Sequence, residues 1–280
     1  MENSTKVLMI RNHNTIMCET IDGKEKRILF SKGIGYSHQV GDYVSMDEDI
    51  ARNLLVLEDR SIDDYRALLN QVKDPKIVDL VQQIVAEANL FFDHKISSNL
   101  HITLLDHINF AFERIKQNIE ITYPFLSELS ILYPKEFEFS LQAMDLIRKT
   151  VETPLPESEL GFIVMHIHAA ITDKSISHIL EMNAIKYDIK DLIEKLSSKK
   201  VDITGRYYVR FINHIEYAIT RSKNNVQIMN NLLDSLSKTA AVEFQYASEV
   251  AKLLESKYHI SVNDTEIAYM ALHIHSLLIN

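Results

Sequence analysis

The chain has 280 residues, 46% hydrophobic and 25% charged, with six Gly and five Pro. That composition excludes a disordered, collagen-like or low-complexity protein, and the length suits two domains or three small ones. A single cysteine, Cys18, excludes a disulfide framework and points to a reducing compartment, the cytoplasm. The polar first residues do not read as a signal peptide, and no apolar run approaches the ~18–20 residues of a membrane span, so no membrane insertion is expected. The net charge of −9 argues against a protein coated in basic surface, and twelve histidines call for an explanation.

The first 45 residues read as short strands. Lys6–Ile10, Thr15–Glu19, Lys26–Phe30 and Asp42–Ser45 are β-prone runs. Asn12-His13-Asn14 is turn chemistry, and Asp22-Gly23 is a second tight-turn signal. Four of the six glycines fall here, and a sheet of such short strands is marginal alone. It is expected to dimerise or to lean on the rest of the chain.

From about Ser61 the apolar residues recur at three- and four-residue spacing, with no glycine until Gly161, which predicts a long series of amphipathic helices. Pro124 and Pro134 break the pattern. The Pro-rich, acidic segment 153–159 predicts a helix start, as does Asn263-Asp-Thr-Glu266, with Asn263 or Asp264 as the N-cap. Charge partitions with the texture. Residues 1–40 carry six Lys/Arg against four acids, and the remainder carries 24 against 35.

The helical body contains an internal repeat. Asp106-His-Ile-Asn-Phe-Ala-Phe-Glu-Arg-Ile-Lys-Gln-Asn118 matches Asn213-His-Ile-Glu-Tyr-Ala-Ile-Thr-Arg-Ser-Lys-Asn-Asn225 at six of thirteen positions, with an offset of 107. At the same offset Glu159-Leu-Gly-Phe-Ile-Val-Met-His-Ile-His168 matches Glu266-Ile-Ala-Tyr-Met-Ala-Leu-His-Ile-His275, keeping the Glu and both His, and Phe137-Glu-Phe139 matches Phe244-Gln-Tyr246. Half of the histidines therefore occupy repeat-equivalent positions. His107 and His166, like His214 and His273, stand 59 residues apart.

Such pairs admit three chemistries. Metal ligation is disfavoured, because the two imidazoles of His-x-His point about 200° apart on a helix and no His-Glu-x-x-His occurs. Catalysis is disfavoured, because there is no nucleophile elbow and no glycine-rich phosphate loop. Reversible phosphorylation suits an imidazole, which is a good nucleophile near neutrality and whose modification adds a dianion able to repack an interface.

With these residues in view, the helical units resemble phosphotransferase-system (PTS) regulation domains. The whole chain resembles the BglG/SacY/LicT family of transcriptional antiterminators, and its glucose-responsive branch in particular. The resemblance rests on Asp106-His107-Ile108, Leu160–Ile167, Asn213-His214-Ile215, Ala268–Ile274, the Tyr123-Pro-Phe-Leu and Leu132-Tyr-Pro-Lys-Glu136 stretches, and Ser31-Lys-Gly-Ile-Gly-Tyr36. It implies a small antiparallel all-β, dimerising, RNA-binding domain over 1–58. Two homologous all-α helical-bundle regulation domains would follow, over 61–171 and 172–280.

It also implies a regulator that is not an enzyme and needs no cofactor or metal. As a homodimer it would bind a hairpin in leader mRNA and prevent a terminator from forming. Control would come from phosphorylation of His107, His166, His214 and His273 by a sugar-specific PTS permease (enzyme II) and the phosphocarrier HPr. Asn213 stands where the first unit has Asp106, which leaves His214 the expected poorer acceptor. His168 and His275 read as packing or surface residues. RNA contacts would come from Lys6, Asn12, Asn14, Ser31, Lys32, Gly33 and Tyr36, with Tyr36 stacking on an unpaired base. Ser31 and His13 depart from the family pattern, which bears on fine RNA specificity. Two alternatives stay open on the residues alone: a repeat-built protein that docks a protein partner on its sheet, and a metal-dependent enzyme using the paired histidines.

Overall fold

The computed structural model describes residues 4–13, 15–31, 33–46, 55–58, 65, 67–93, 95–119, 121–123, 126–224, 226 and 240–279. Asn14, Lys32 and Pro124, and the side chain of Asn12, lie outside the described residues. The chain divides into two compact units, Met1–Ile176 and Ser177–Asn280.

The first unit opens with the sheet. β1 (Ser4–Asn12), β2 (Thr15–Thr20), β3 (Lys26–Phe30), β4 (Tyr43–Ser45) and β5 (Leu55–Glu58) pair antiparallel in the order β4-β1-β2-β3-β5. β5 was not expected. Its Leu-Val-Leu core is apolar on consecutive residues, so it lacks the alternation that marks a half-exposed strand. Asn12 pairs with Thr15, so the first turn is a two-residue hairpin through His13. In the second, Gly23 takes the left-handed φ of +67° and its N–H donates to Thr20 O at 2.8 Å. The Asp22 carboxylate accepts from the Thr20 hydroxyl at 2.6 Å. After β3 a single helical turn, α1 (Ile34–Ser37), begins at Gly33, which sits at φ +76°.

Strand alternation sends side chains to two faces. Val7, Ile16, Cys18 and Leu29 form one apolar cluster with Ile34 and Val44. Met17, Ile28 and Phe30 face the other way, into the same cluster as Tyr65, Leu68, Leu100 and Leu104 of the helical part. The marginal sheet therefore leans on the first helical bundle, as one of the two sequence expectations had it. At that seam the His101 ring stacks on Phe30, with centroids 3.4 Å apart, and is 1% exposed.

The rest of the first unit is helical: α2 (Pro75–Phe91), α3 (Leu100–Lys116), α4 (Leu126–Leu132), α5 (Pro134–Thr150) and α6 (Glu159–Thr172). α2 starts on an Asp74 cap, whose carboxylate accepts from Lys76 N at 3.0 Å, with Pro75 in the first turn. Pro134 both ends the α4 pattern and opens α5, where its missing N–H is no loss.

The second unit repeats the scheme with α7 (Ile176–Ser197), α8 (Arg206–Lys223), α9 (Ala241–Tyr258) and α10 (Asp264–Ile279). Asn263 caps α10 by accepting from Glu266 N at 2.9 Å. On α2 the apolar series buries Ile77, Leu80 and Ile84, while Leu90 at its C-terminal end is exposed.

Candidate phosphoacceptor sites and nucleic-acid face

His107 lies on α3 and His166 on α6, and the packing of these helices brings the rings together with centroids 4.8 Å apart. In the second unit α8 and α10 bring His214 and His273 to 4.7 Å. The two pairs named by the repeat are thus two sites of one design, and each is partly shielded from solvent.

The carboxylate that meets each pair is not the one beside the histidine in sequence. Glu159, 1% exposed at the start of α6, places Oε2 2.9 Å from His107 Nε2 and accepts from Arg114 Nη2 at Oε1, also 2.9 Å. The histidine contact is close but lacks hydrogen-bond alignment. In the second unit Glu266 accepts from Arg221 Nε at 2.6 Å and Nη2 at 2.9 Å, while His214 Nε2 stands off at 3.5 Å. The two sites also differ in the distribution of their Arg–Glu bonds. Arg114/Arg221 and Glu159/Glu266 are identical across the repeat, and that identity is the signal by which sequence alone could have found them.

An aromatic ring completes each site. Phe162 lies 5.4 Å from His107, and its repeat equivalent Tyr269 lies 5.9 Å from His214. Tyr123 packs edge-on against Phe162 at 5.0 Å.

The electrostatics favour the neutral imidazole at His166, His214 and His273. Burial, and then the neighbouring His107, push His166 down to about 3. Burial and then His273 push His214 down to about 4, and burial followed by Arg210 lowers His273. Burial raises the Glu159 carboxyl, but His107 and Arg114 outweigh it and hold the group below its ordinary value. A neutral ring keeps the lone pair that attacks an electrophile such as phosphorus. An arginine bound to the same carboxylate opposes a divalent cation there, which disfavours the metal-enzyme alternative.

His168 and His275, packing or surface residues by sequence, each meet a glutamate. His168 Nδ1 meets Glu136 Oε1 at 2.9 Å, and His275 Nδ1 meets Glu243 Oε1 at 2.9 Å. Each pair ties the first turn of one helix to the next, α5 to α6 and α9 to α10. The Glu136 carboxyl is held below its ordinary value: burial opposes ionisation, and the His168 hydrogen bond overcomes it. A group so depressed contributes stability above its unfolded pKa that is lost as pH falls through the folded one. Glu136→Gln is expected to cost about 1 kcal/mol at pH 7, with the deficit shrinking as pH falls below 4.5, the ordinary Glu value, in urea titrations.

On the sheet, the expected RNA residues fall into two groups. The His13 turn and the α1 loop come together: Gly35 N donates to His13 O at 2.8 Å, and the His13 and Tyr36 rings stack with centroids 4.1 Å apart. Tyr36 is 74% exposed, so a large aromatic is held out to solvent. Ser31 O accepts from Ile34 N at 3.2 Å, and Gly33 supplies the left-handed residue that starts α1. Lys6 is exposed but lies on β1 opposite Glu19 and Tyr43, six residues from Asn12 and so about 20 Å along the strand from the turn.

A sheet is followed by two copies of a helical unit, each carrying a histidine pair, a carboxylate and an arginine. The chain matches the PRD domain family over residues 79–170 and 187–277. It is 28% identical to Protein GlcT of Staphylococcus saprophyticus, over 99% of this chain and 97% of that protein. It is also 28% identical to the GlcA/glcB genes antiterminator of Staphylococcus carnosus, over 94% of this chain and 92% of that protein. A solved structure, the crystal structure of GlcT CAT-PRDI, superposes with a TM-score of 0.50 and 30% sequence identity, covering 61% of this chain and 99% of that one. The chain belongs to the PRD family, among the antiterminators of the BglG/GlcT type.

Proposed function

We propose that the chain is a cytoplasmic, sugar-responsive antiterminator. As a homodimer it binds a hairpin in nascent leader mRNA through residues 1–58, stabilises it, and so keeps an overlapping terminator from forming. The flanking domains, 61–171 and 172–280, set its activity through phosphorylation. A sugar-specific permease of the phosphotransferase system acts on His107 and His166 and inactivates the protein. HPr acts on His214 and His273 and favours the active dimer. The observation that carries this is the duplicated site itself: two histidine pairs with the same spacing, each with a buried carboxylate, an arginine and an aromatic ring. None of the described helices is long and apolar enough to cross a membrane.

On the sheet, Tyr36, Ser31 and Gly33, with Asn12, Asn14, Lys32 and Lys6, are the proposed RNA residues. Base stacking on an aromatic contributes about 1–3 kcal/mol, so Tyr36→Ala is expected to weaken hairpin binding by roughly ten- to a hundredfold. Filter retention of candidate leader hairpins upstream of sugar-permease genes, at several salt concentrations, checks this. In the same assay His107→Asp, which places a fixed negative charge at the first site, is expected to lower both retention and dimerisation. Undiminished retention by His107→Asp would overturn inactivation by charge at that site, and undiminished binding by Tyr36→Ala would overturn the stacking role.

A further inference from the structure

The two histidine sites share their residues but not their bonding. In the second unit, Arg221 gives both Nε and Nη2 to Glu266, a bidentate pair. In the first, Arg114 gives Glu159 only Nη2, and its Nε–H is buried with no acceptor among the described residues. The second oxygen of Glu159 is turned to His107 instead. A buried guanidinium N–H is a strong donor, and planar guanidinium forks match phosphate oxygens. Arg114 follows His107 by seven residues, two turns on the same face of α3, and both side chains reach the same carboxylate.

Resting on the phosphoacceptor reading above, we infer that Arg114 is the positioning residue that holds a phosphoryl group on the first histidine pair, through its unpaired Nε–H. Arg221 is already committed to Glu266 and holds none until that pair opens. In the transfer, the lone pair of a neutral ring nitrogen attacks phosphorus. The new N–P bond forms as the donor's bond to phosphorus breaks, and that electron pair returns to the donor. The dianion so formed repels the Glu159 carboxylate. Arg114, bound to the other oxygen of that carboxylate, keeps Nη2 on Glu159 while Nε takes a phosphoryl oxygen. The first pair is therefore preset to retain phosphate, and the second requires a bond exchange first.

The test uses the full chain, phosphorylated with phosphoenolpyruvate, enzyme I, HPr and the cytosolic part of a glucose permease. Occupancy is mapped under non-acidic conditions, and the 31P signal is titrated with pH. Arg114→Gln is expected to lower the equilibrium occupancy at His107 and His166 about tenfold and to move the 31P titration to higher pH, since the phosphoryl dianion has lost its cation. Arg114→Lys keeps a charge near Glu159 without the fork and is expected to fall between. Occupancy and 31P titration unchanged in Arg114→Gln would overturn the inference. So would a titration of Arg114→Lys that coincides with the wild type, which covers the case in which the Gln variant does not fold. Phosphate confined to His214 and His273, or absent from the wild-type chain, would overturn the phosphoacceptor reading of the first pair and this inference with it.

Discussion

Replacing His101 by Leu is expected to stabilise the first unit, and increasingly so as the solution is acidified. His101 is 1% exposed, its ring lies flat on Phe30, and both ring nitrogens are buried without a hydrogen-bond partner among the described residues. Removing such groups in favour of an apolar side chain of similar volume is expected to gain about 1–3 kcal/mol at pH 7. Burial pushes the His101 pKa from its ordinary 6.5 down to about 3. Between those values the unfolded chain binds the proton and the folded chain does not, so stability falls as pH falls, by about 1.4 kcal/mol per pH unit. At pH 5 this amounts to roughly 2 kcal/mol, or about 4–8 °C in the midpoint of a unit of this size.

His166, also pushed to about 3, adds a second loss over the same window. His101→Leu is therefore expected to reduce the acid sensitivity of the first unit between pH 6.5 and 5 and to leave the His166 contribution. Urea midpoints of the full chain at a series of pH values check this. A variant whose pH dependence matched the wild type would mean that His101 is not held neutral at the seam between sheet and helices.

Gly161→Ala is expected to destabilise the first unit, against the sign that helix propensity gives. Within a helix, Ala in place of Gly gains up to about 1 kcal/mol. Here a Cβ on Gly161 would overlap Tyr123 Cγ and stand 2.7 and 2.8 Å from its two Cδ atoms. Those atoms are the root of the ring, not the end of a flexible side chain, and Tyr123 is 8% exposed and seated edge-on against Phe162. Forcing a methyl into such a contact costs about 1–3 kcal/mol or more, so a net loss of roughly 2 kcal/mol is expected in urea titrations. The displacement passes to Phe162 and from there toward His107, so phosphate acceptance at the first pair is expected to drop as well. The repeat equivalent in the second unit is already alanine, Ala268, fully buried. An unchanged or raised midpoint for Gly161→Ala would show that Tyr123 can move aside.

Much of the architecture was legible because it rests on periodicity and local chemistry. Helix stripes, the Asn263 cap, the Asp22-Gly23 turn and the four strands from Lys6 to Ser45 are all read from neighbours in sequence. β5 was missed for the complementary reason: a strand apolar on consecutive residues has no period to detect. The histidine pairs were legible through the 107-residue repeat, which shows that two positions were kept together without showing what surrounds them. Reading Asp106 as the carboxylate beside His107 followed adjacency along the chain. Glu159, 52 residues away in sequence, reaches His107 because α6 crosses α3, which adjacency cannot show. The Glu136–His168 tie escaped for the same reason.

The histidines, like the uneven charge that separates a weakly basic strand region from an acidic helical body, belong to the sequence. So do the duplication, the helical character of residues beyond about 61, the pairing of His107 with His166 and of His214 with His273, and the family. Which carboxylate and which arginine reach each pair was settled only by tertiary packing. So were the unpaired Nε of Arg114 against the committed Arg221, the clash awaiting a methyl on Gly161, and the burial of His101 against Phe30. The division has one physical cause. Period, capping and repetition depend on residues a few positions apart or at one fixed offset, whereas hydrogen-bond geometry and clearance depend on how distant helices cross, to a fraction of an ångström.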